Sequence, residues 1–235
     1  MSRLPIADYA VLSDCHSAAL VSRDGSIDWL CFPRFDSPSV FGRILDDAAG
    51  HWSIGPGDGR PFETTRRYVD DTLLLETRFR TAHGSVTMTD AMAVGRNERG
   101  HALGAGAVGT VLRRLVGVEG EVELEMVYAP RPEYGLVAPA LYPEADRLTA
   151  RGGASLLRMS SPVPLELDGA TARARSRSGP ARRCRSPSTT ARRRSRALAP
   201  GRRRRSASDC TTPQRPGEPG RASTRATTAR GPTSS

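Results

Sequence analysis

The sequence contains no lysine: every positive charge in its 235 residues is an arginine. Lysine codons are AT-rich and most arginine codons GC-rich, so the chain reads as the product of a high-GC gene. Long apolar runs are missing as well, and nothing approaches the roughly 20 residues that would span a bilayer. The opening Met1-Ser2-Arg3-Leu4-Pro5-Ile6-Ala7-Asp8 has no apolar signal core. The expectation is a soluble, cytoplasmic chain with no membrane partner. The four cysteines, Cys15, Cys31, Cys184 and Cys210, show no C-x-x-C spacing and no companion histidine pattern, so neither a metal site nor a cofactor is indicated. Cys15 and Cys31 flank the first hairpin and could be neighbours, but they read as buried reduced thiols.

What is present divides into two materials. Up to Ala170 there are 17 Arg against 23 Asp and Glu, a net charge of −6; from Thr171 onward 18 Arg face only Asp209 and Glu218, a net charge of +16. The overall net charge of +10 hides this split.

Aromatic residues make up 5% of the chain, yet Trp29, Phe32, Phe35 and Phe41 fall within Ala18 to Phe41, AALVSRDGSIDWLCFPRFDSPSVF. Two apolar runs, Ala18 to Val21 and Ile27 to Phe32, flank Arg23-Asp24-Gly25-Ser26. Asp-Gly between apolar runs predicts a hairpin, because both residues tolerate φ > 0. Asp24 and Gly25 would make the turn, and Trp29 and Phe32 would help fill the core. Pro33 removes a ladder donor, and Arg34, Phe35, Asp36 and Ser37 form a loop that mixes charge with an aromatic ring. Ser37-Pro38 reads as a cap and first helical residue, predicting one short helix with Val40, Phe41, Ile44 and Leu45 on its apolar face and Gly50 as its stop.

Beyond Gly50 the apolar period is two. His51 to Ile54, Thr64 to Val69, Thr72 to Thr81 and Ser85 to Met92 read as antiparallel strands, with His83 in a turn. His16 reads as a turn residue bonded to nearby backbone, since spacing places no acid or nucleophile beside it. Gly95 to Gly109 contains Gly104-Ala105-Gly106, but Thr110-Val111-Leu112 resumes a strand where a dinucleotide site needs a helix, so a mobile loop is expected. Val111 to Val118 and Glu121 to Val127 form a further hairpin. There Glu121, Glu123 and Glu125 alternate with Val122, Leu124 and Met126 as a solvated face. Short β-like segments follow at Tyr134 to Val137, Arg147 to Ala150, Leu156 to Ser160 and Val163 to Leu167. Many short strands with Gly/Pro punctuation predict an all-β fold, an antiparallel β-sandwich over residues 1–170.

The run Ile6-Ala7-Asp8-Tyr9, then SAALVSRDGSIDWLCFPRFDSPSVFGRILDD, then RRYVDDTLLLETRF, resembles the N-terminal domain of bacterial glycoside hydrolase family 15 enzymes, the group of glucoamylase-like, glucodextranase-like and trehalase-like members. The resemblance is dense from residue 6 to about 95 and similar in plan to about 170. It implies a β-sandwich packed on an α/α barrel whose two carboxylates act as acid and base with inversion, on an α-glucoside or trehalose. This chain has no long 3.6-period segment, so no catalytic residue carries over and the fragment is expected to be inactive alone. The Arg34 to Ser37 loop is placed as the segment that approaches the barrel's sugar pocket.

From about Arg173 the residues are mainly Arg, Ser, Ala, Pro, Thr and Gly, without aromatics and with almost no large aliphatic, which predicts a disordered basic tail over 171–235. Choosing GC-rich codons for Arg177 to Ala191 and dropping two nucleotides yields V-R-A-G-E-A-L-S-F-S-L-H-Y-G, an alternating strand. The same offset on Ala222 to Ser235 yields E-H-Q-G-Y-D-G-P-W-A-D-L-V. The tail therefore reads as out-of-frame translation that costs the sandwich its last strand or strands. Two other functions are open at this level. One is a sugar-binding module with Trp29, Trp52, Tyr68 or Phe35 as a stacking platform. The other is non-specific nucleic-acid binding through the arginine tail, including Arg192-Arg193-Arg194 and Arg202 to Arg205.

Overall fold

The computed structural model describes residues 4–107 and 109–179 and the backbone of residues 188–193. Strands follow one another along the chain as β1 (Ala10–Ser13), β2 (Ala18–Val21), β3 (Ser26–Cys31), β4 (Ser39–Phe41), β5 (His51–Pro56), β6 (Glu63–Tyr68), β7 (Leu75–Arg80) and β8 (Gly84–Met92). They continue as β9 (Thr110–Gly120), β10 (Val122–Ala129), β11 (Ala140–Pro143), β12 (Leu148–Gly152), β13 (Ser155–Ser160), β14 (Glu166–Asp168), β15 (Thr171–Ser178) and β16 (Ser188–Arg193). The helical turns among the described residues are the 3-10 turns Ile6–Asp8 and Gly100–Ala102, and no helix there is long and apolar enough to cross a membrane.

Two antiparallel sheets result. The first runs β1-β2-β3-β5-β10-β15-β14, with β4 on β3; the second runs β11-β12-β13-β16-β9-β8-β7-β6. Their inner faces follow from period-two alternation. Leu75, Thr77 and Phe79 on β7, Val86 and Met88 on β8, and Val122, Leu124 and Met126 on β10 point inward and are buried. Trp52 on β5 and Tyr128 on β10 meet edge to face at 5.8 Å, and Phe41 meets Tyr128 at 5.9 Å. Each fully buried side chain of this size contributes about 2 kcal/mol of transfer free energy, with more from the ring geometry.

Four sequence expectations are corrected. No helix follows Pro38. Ser39, Val40 and Phe41 are each at most 3% exposed and pair with β3, Phe41 opposite Leu30 and Ser39 opposite Cys31. Residues 42–50 then form turns, closed by Leu45 N–H to Gly42 O at 2.8 Å and Ala49 N–H to Asp46 O at 2.9 Å. Pairing on an open strand overrode a local helix signal. Tyr134 to Val137 is a turn and not a strand, with left-handed φ at Glu133 (59°), Tyr134 (59°) and Gly135 (94°).

The third correction concerns Trp29. A β-bulge puts Asp28 and Trp29 of β3 between the pairs Ala19–Leu30 and Val21–Ile27, so Leu30 and Ile27 both face the core while Trp29 pairs with Leu20 on the other face. There it is half-buried against Tyr134, 6.2 Å between rings. The fourth is the boundary at residue 170. Strand β15 continues the sandwich through Ser178, with Ala172 and Ala174 buried and Arg173, Arg175 and Arg177 at the alternate positions. Arg175 reaches Glu125 at 3.4 Å and Arg177 reaches Glu123 at 2.6 Å, so the glutamate face of β10 is paired with an arginine face of β15. The basic tail expected beyond that, apart from the backbone of β16, lies outside the described residues.

Candidate functional site

The Asp24-Gly25 turn joins β2 to β3 and sits against the opposite sheet. Ser22 N–H donates to Ser26 O at 2.8 Å, and the Ser22 hydroxyl bonds the Asp24 carboxylate. Gly25 has φ of +81°, and a Cβ there would lie 2.4 Å from Ile54 O and 2.9 Å from the Phe79 ring. Its carbonyl accepts a 2.7 Å bond from Arg113 Nη2. That guanidinium also donates to Trp52 O at 2.7 Å, binds Asp90 through two bonds of 3.0 and 3.2 Å, and lies 5.1 Å above the Trp52 ring. Asp90 and Arg113 occupy inward positions on β8 and β9, in the same buried rows as Met88 and Met92 and as Val111. A lone charge at an inward position on each of two adjacent strands was the signal available in the sequence.

Three loops converge near the Arg34 to Ser37 segment. Phe35 N–H donates to His16 O at 2.9 Å, Gly104 packs on Asp14 O and Cys15, and Gly109 lies against the Phe32 ring. Phe32 is buried at 4% exposure, whereas Phe35 is 57% exposed, with Val94 and Leu103 also exposed. Arg34 and Asp36 bond each other at 2.8 Å, and Ser37 Oγ accepts from Arg34 N–H at 3.2 Å. The Arg34 guanidinium holds the Asp36 carboxyl below the usual carboxylate range, which suits it to remain ionised and not to act as a general acid.

The glycine-rich loop is organised by one side chain. The Glu98 carboxylate accepts backbone N–H groups from Gly95 (3.0 Å), Gly104 (2.7 Å) and Gly106, so the amides that a phosphate would use are already taken. His16 sits in a turn, its N–H donating to Asp14 Oδ1 at 3.0 Å. His83 also lies in a turn, in contact with Arg60. Cys15, expected to be buried, is exposed with φ of +67°, while Cys31 is buried and its thiol is pushed up by burial; both are free.

A polar cluster on the outer side of β3 went unread in the sequence. Asp28, 1% exposed, accepts from Tyr9 Oη at 3.0 Å and Ser26 Oγ at 2.5 Å, with Arg43 Nε at 3.7 Å. Burial pushes the Asp28 carboxyl up against the opposing effects of Ser26, Arg43 and Tyr9. Nearby His51 is driven down to about 4, first by burial and then by Arg43, Arg131 and Arg173. Of the aromatics offered as a sugar platform, Phe35 and Tyr68 are exposed and Trp29 is half-buried. Trp52 is fully buried, and the Tyr68 hydroxyl is committed to Val11, donating to its carbonyl and accepting its N–H.

Residues 2–181 match the family described as Trehalase-like, N-terminal. The chain is 39% identical over 191 residues to a trehalase of Mycolicibacterium smegmatis and 37% identical over 190 residues to a trehalase of Mycobacterium tuberculosis, in each case over 74% of this chain and 28% of the relative. Trehalase 1 of Sulfolobus acidocaldarius is 35% identical over 130 residues, 55% of this chain and 20% of that protein. The chain thus spans little more than a quarter of the length of the mycobacterial relatives. By the extent of the family match, the chain belongs to the trehalase-like N-terminal domain family.

Proposed function

We propose that this β-sandwich is the non-catalytic N-terminal domain of a glycoside hydrolase family 15 enzyme that cleaves trehalose, and that these 235 residues do not hydrolyse the sugar by themselves. The observation that carries this reading is the similarity to proteins named trehalase, over a stretch that is 28% of their length. The site geometry is consistent with it. Inverting hydrolysis needs two carboxyl groups facing each other across roughly 6.5–9.5 Å, and Asp36 and Glu98 in the loop cluster are both committed, one to Arg34 and one to backbone amides. The exposed Phe35, Val94 and Leu103 suit the cluster to covering a catalytic domain.

We propose also that translation leaves the native frame after Ser178. The alternation of Ala172, Ala174, Ser176 and Ser178 with Arg173, Arg175 and Arg177 runs to that residue along β15, and the family match ends at 181. The nucleotide sequence tests this directly: a family-like open frame at the two-nucleotide offset is expected, and its absence overturns the frame reading.

The functional reading is tested by incubating the purified chain with trehalose, alone and together with the part of the Mycolicibacterium smegmatis trehalase that it does not match. No glucose is expected from the chain alone, and hydrolysis is expected when the two parts are refolded together. Glucose release by the chain alone would overturn the proposal.

A further inference from the structure

The first sheet ends on β1 and the second on β6, and these two edges meet along one seam of the sandwich. Tyr68 Oη closes the seam by accepting from Val11 N–H at 2.8 Å and donating to Val11 O at 2.9 Å, and Arg66 Nη1 reaches Val21 O at 3.1 Å. Arg66 and Tyr68 are in register with Thr77 and Leu75, both buried, so Arg66 stands in an inward row that an apolar residue would ordinarily fill. Thr77 Oγ1 is itself buried without a hydrogen-bond partner among the described residues. Beside them lies a pocket of about 250 Å³ whose walls include Tyr9, Arg23, Arg66, Arg67, Tyr68 and Leu75.

These walls bring together three guanidinium groups and no carboxylate. Arg23 is paired by Asp8 at 2.6 Å and Arg67 by Glu76 at 3.1 Å, whereas Arg66 has no ion pair among the described residues. Burial, and then repulsion from Arg23, holds the Arg66 guanidinium below the usual arginine range. An anion relieves a partly desolvated cation beside a like charge, and the fork of a guanidinium matches the oxygens of a phosphate group. Among the described residues, bonds to protein use only Nη1 of Arg66 and Nε of Arg23, which leaves the other nitrogens of both for a ligand.

We infer that this pocket binds a phosphate group, as the free ion or as the monoester of a small molecule, held by Arg66 and Arg23. The pocket has roughly eight times the volume share of one water molecule, so a free ion fills it only in part. Tyr9, Tyr68 and Leu75 wall the remaining space. A bound phosphate ties the β2–β3 turn of the first sheet to the β6 edge of the second, across the seam.

The test modifies arginines of the full chain with phenylglyoxal and follows each site by peptide mass spectrometry, at constant ionic strength, with inorganic phosphate, glucose 6-phosphate or glucose added. Modification of Arg66 and Arg23 is expected to slow about tenfold once phosphate or its ester reaches about ten times its dissociation constant. Arg147, which pairs with Asp146 at 2.8 Å outside the pocket, is the internal reference and is expected to react at an unchanged rate. No slowing at Arg66 and Arg23, equal slowing at Arg147, or equal slowing by glucose overturns the inference.

Two variants separate the pocket from diffuse attraction to the many arginines from Thr171 onward. Arg66→Met is expected to abolish the protection of Arg23, and Arg66→Lys, which keeps the charge and loses the fork, to retain part of it. Full protection of Arg23 in Arg66→Met overturns the inference, and the site-by-site rates of the parent chain decide it even if that variant does not fold. The two phosphate arms identify the source of the group. Stronger protection by glucose 6-phosphate assigns the site to a monoester whose organic part fills the space beside Tyr9 and Tyr68, and stronger protection by inorganic phosphate assigns it to the free ion.

Discussion

Arg113 and Asp90 form a two-point ion pair with no solvent exposure on either side chain, and the same guanidinium ties Trp52 O and Gly25 O of the facing sheet. The pair acts as a clamp between β9 and β8 on one side and the β2–β3 turn and β5 on the other. Removing one partner leaves a buried charge uncompensated. Asp90→Asn and Arg113→Met are each expected to lower stability by about 3–5 kcal/mol in urea unfolding. The double variant Asp90→Leu/Arg113→Met is expected to recover only part of the loss, because the Trp52 and Gly25 carbonyls each lose the guanidinium donor, although Gly25 O keeps the Ile54 N–H at 3.2 Å. Full recovery would show that the two carbonyl bonds contribute nothing.

Gly25→Ala is expected to destabilise by about 1–3 kcal/mol from its left-handed φ alone, and by more from the approach to Ile54 O and Phe79. A denaturation midpoint unchanged from the parent would show that the turn can move away from the facing sheet.

His51 makes acid stability a specific readout. Its folded value of about 4 lies below the unfolded value of about 6.5. Between those values the unfolded chain binds a proton that the folded protein refuses, so stability is full above about pH 6.5 and falls as pH drops toward 4. His51→Gln is expected to remove about 1–2 kcal/mol of that acid loss, less than the full shift would give because the ring is partly exposed. Parallel unfolding curves for the two proteins across that range would contradict the assignment.

Glu98→Ala is expected to open the Gly95 to Gly109 loop. Loss of the carboxylate frees the amides of Gly95, Gly104 and Gly106. Limited trypsin digestion should then cut after Arg96 or Arg99 severalfold faster, because the charge-assisted bonds that hold the loop closed are lost. An unchanged cutting rate would show that the loop is held by other contacts.

Period-two alternation made the strands around Thr72 to Met92 and Val111 to Val127 legible, because each strand has one buried face and one open one. The Asp24-Gly25 hairpin was legible for a different reason: its turn needs positive φ, and few residues supply it. The same rules failed at Ser39 to Phe41, where a cap-like Ser37-Pro38 pointed to a helix while an open edge of β3 captured the segment as a strand. They failed at Trp29 because a bulge changes which face a residue takes, and nothing in the residue order announces one. They stopped too early at residue 170, where arginines counted in bulk look like a tail. Counted alternately with Ala172 and Ala174, they are the outer face of a strand that meets Glu123 and Glu125.

By itself the sequence determined the all-β class, the hairpin order and the resemblance that names the family, since these rest on local spacing and on residue types that each position tolerates. Only the tertiary structure decided which inward charges become the Arg113–Asp90 clamp, that Glu98 fills the glycine loop, that Asp28 is buried beside Tyr9 and Arg43, and that β15 belongs to the sandwich. The clamp and the Asp28 cluster depend on groups far apart in the chain meeting in a medium of low polarity, where an unpaired charge is costly and a paired one becomes part of the fold; the Glu98 loop and β15 depend on backbone groups that only the folded chain turns toward their partners.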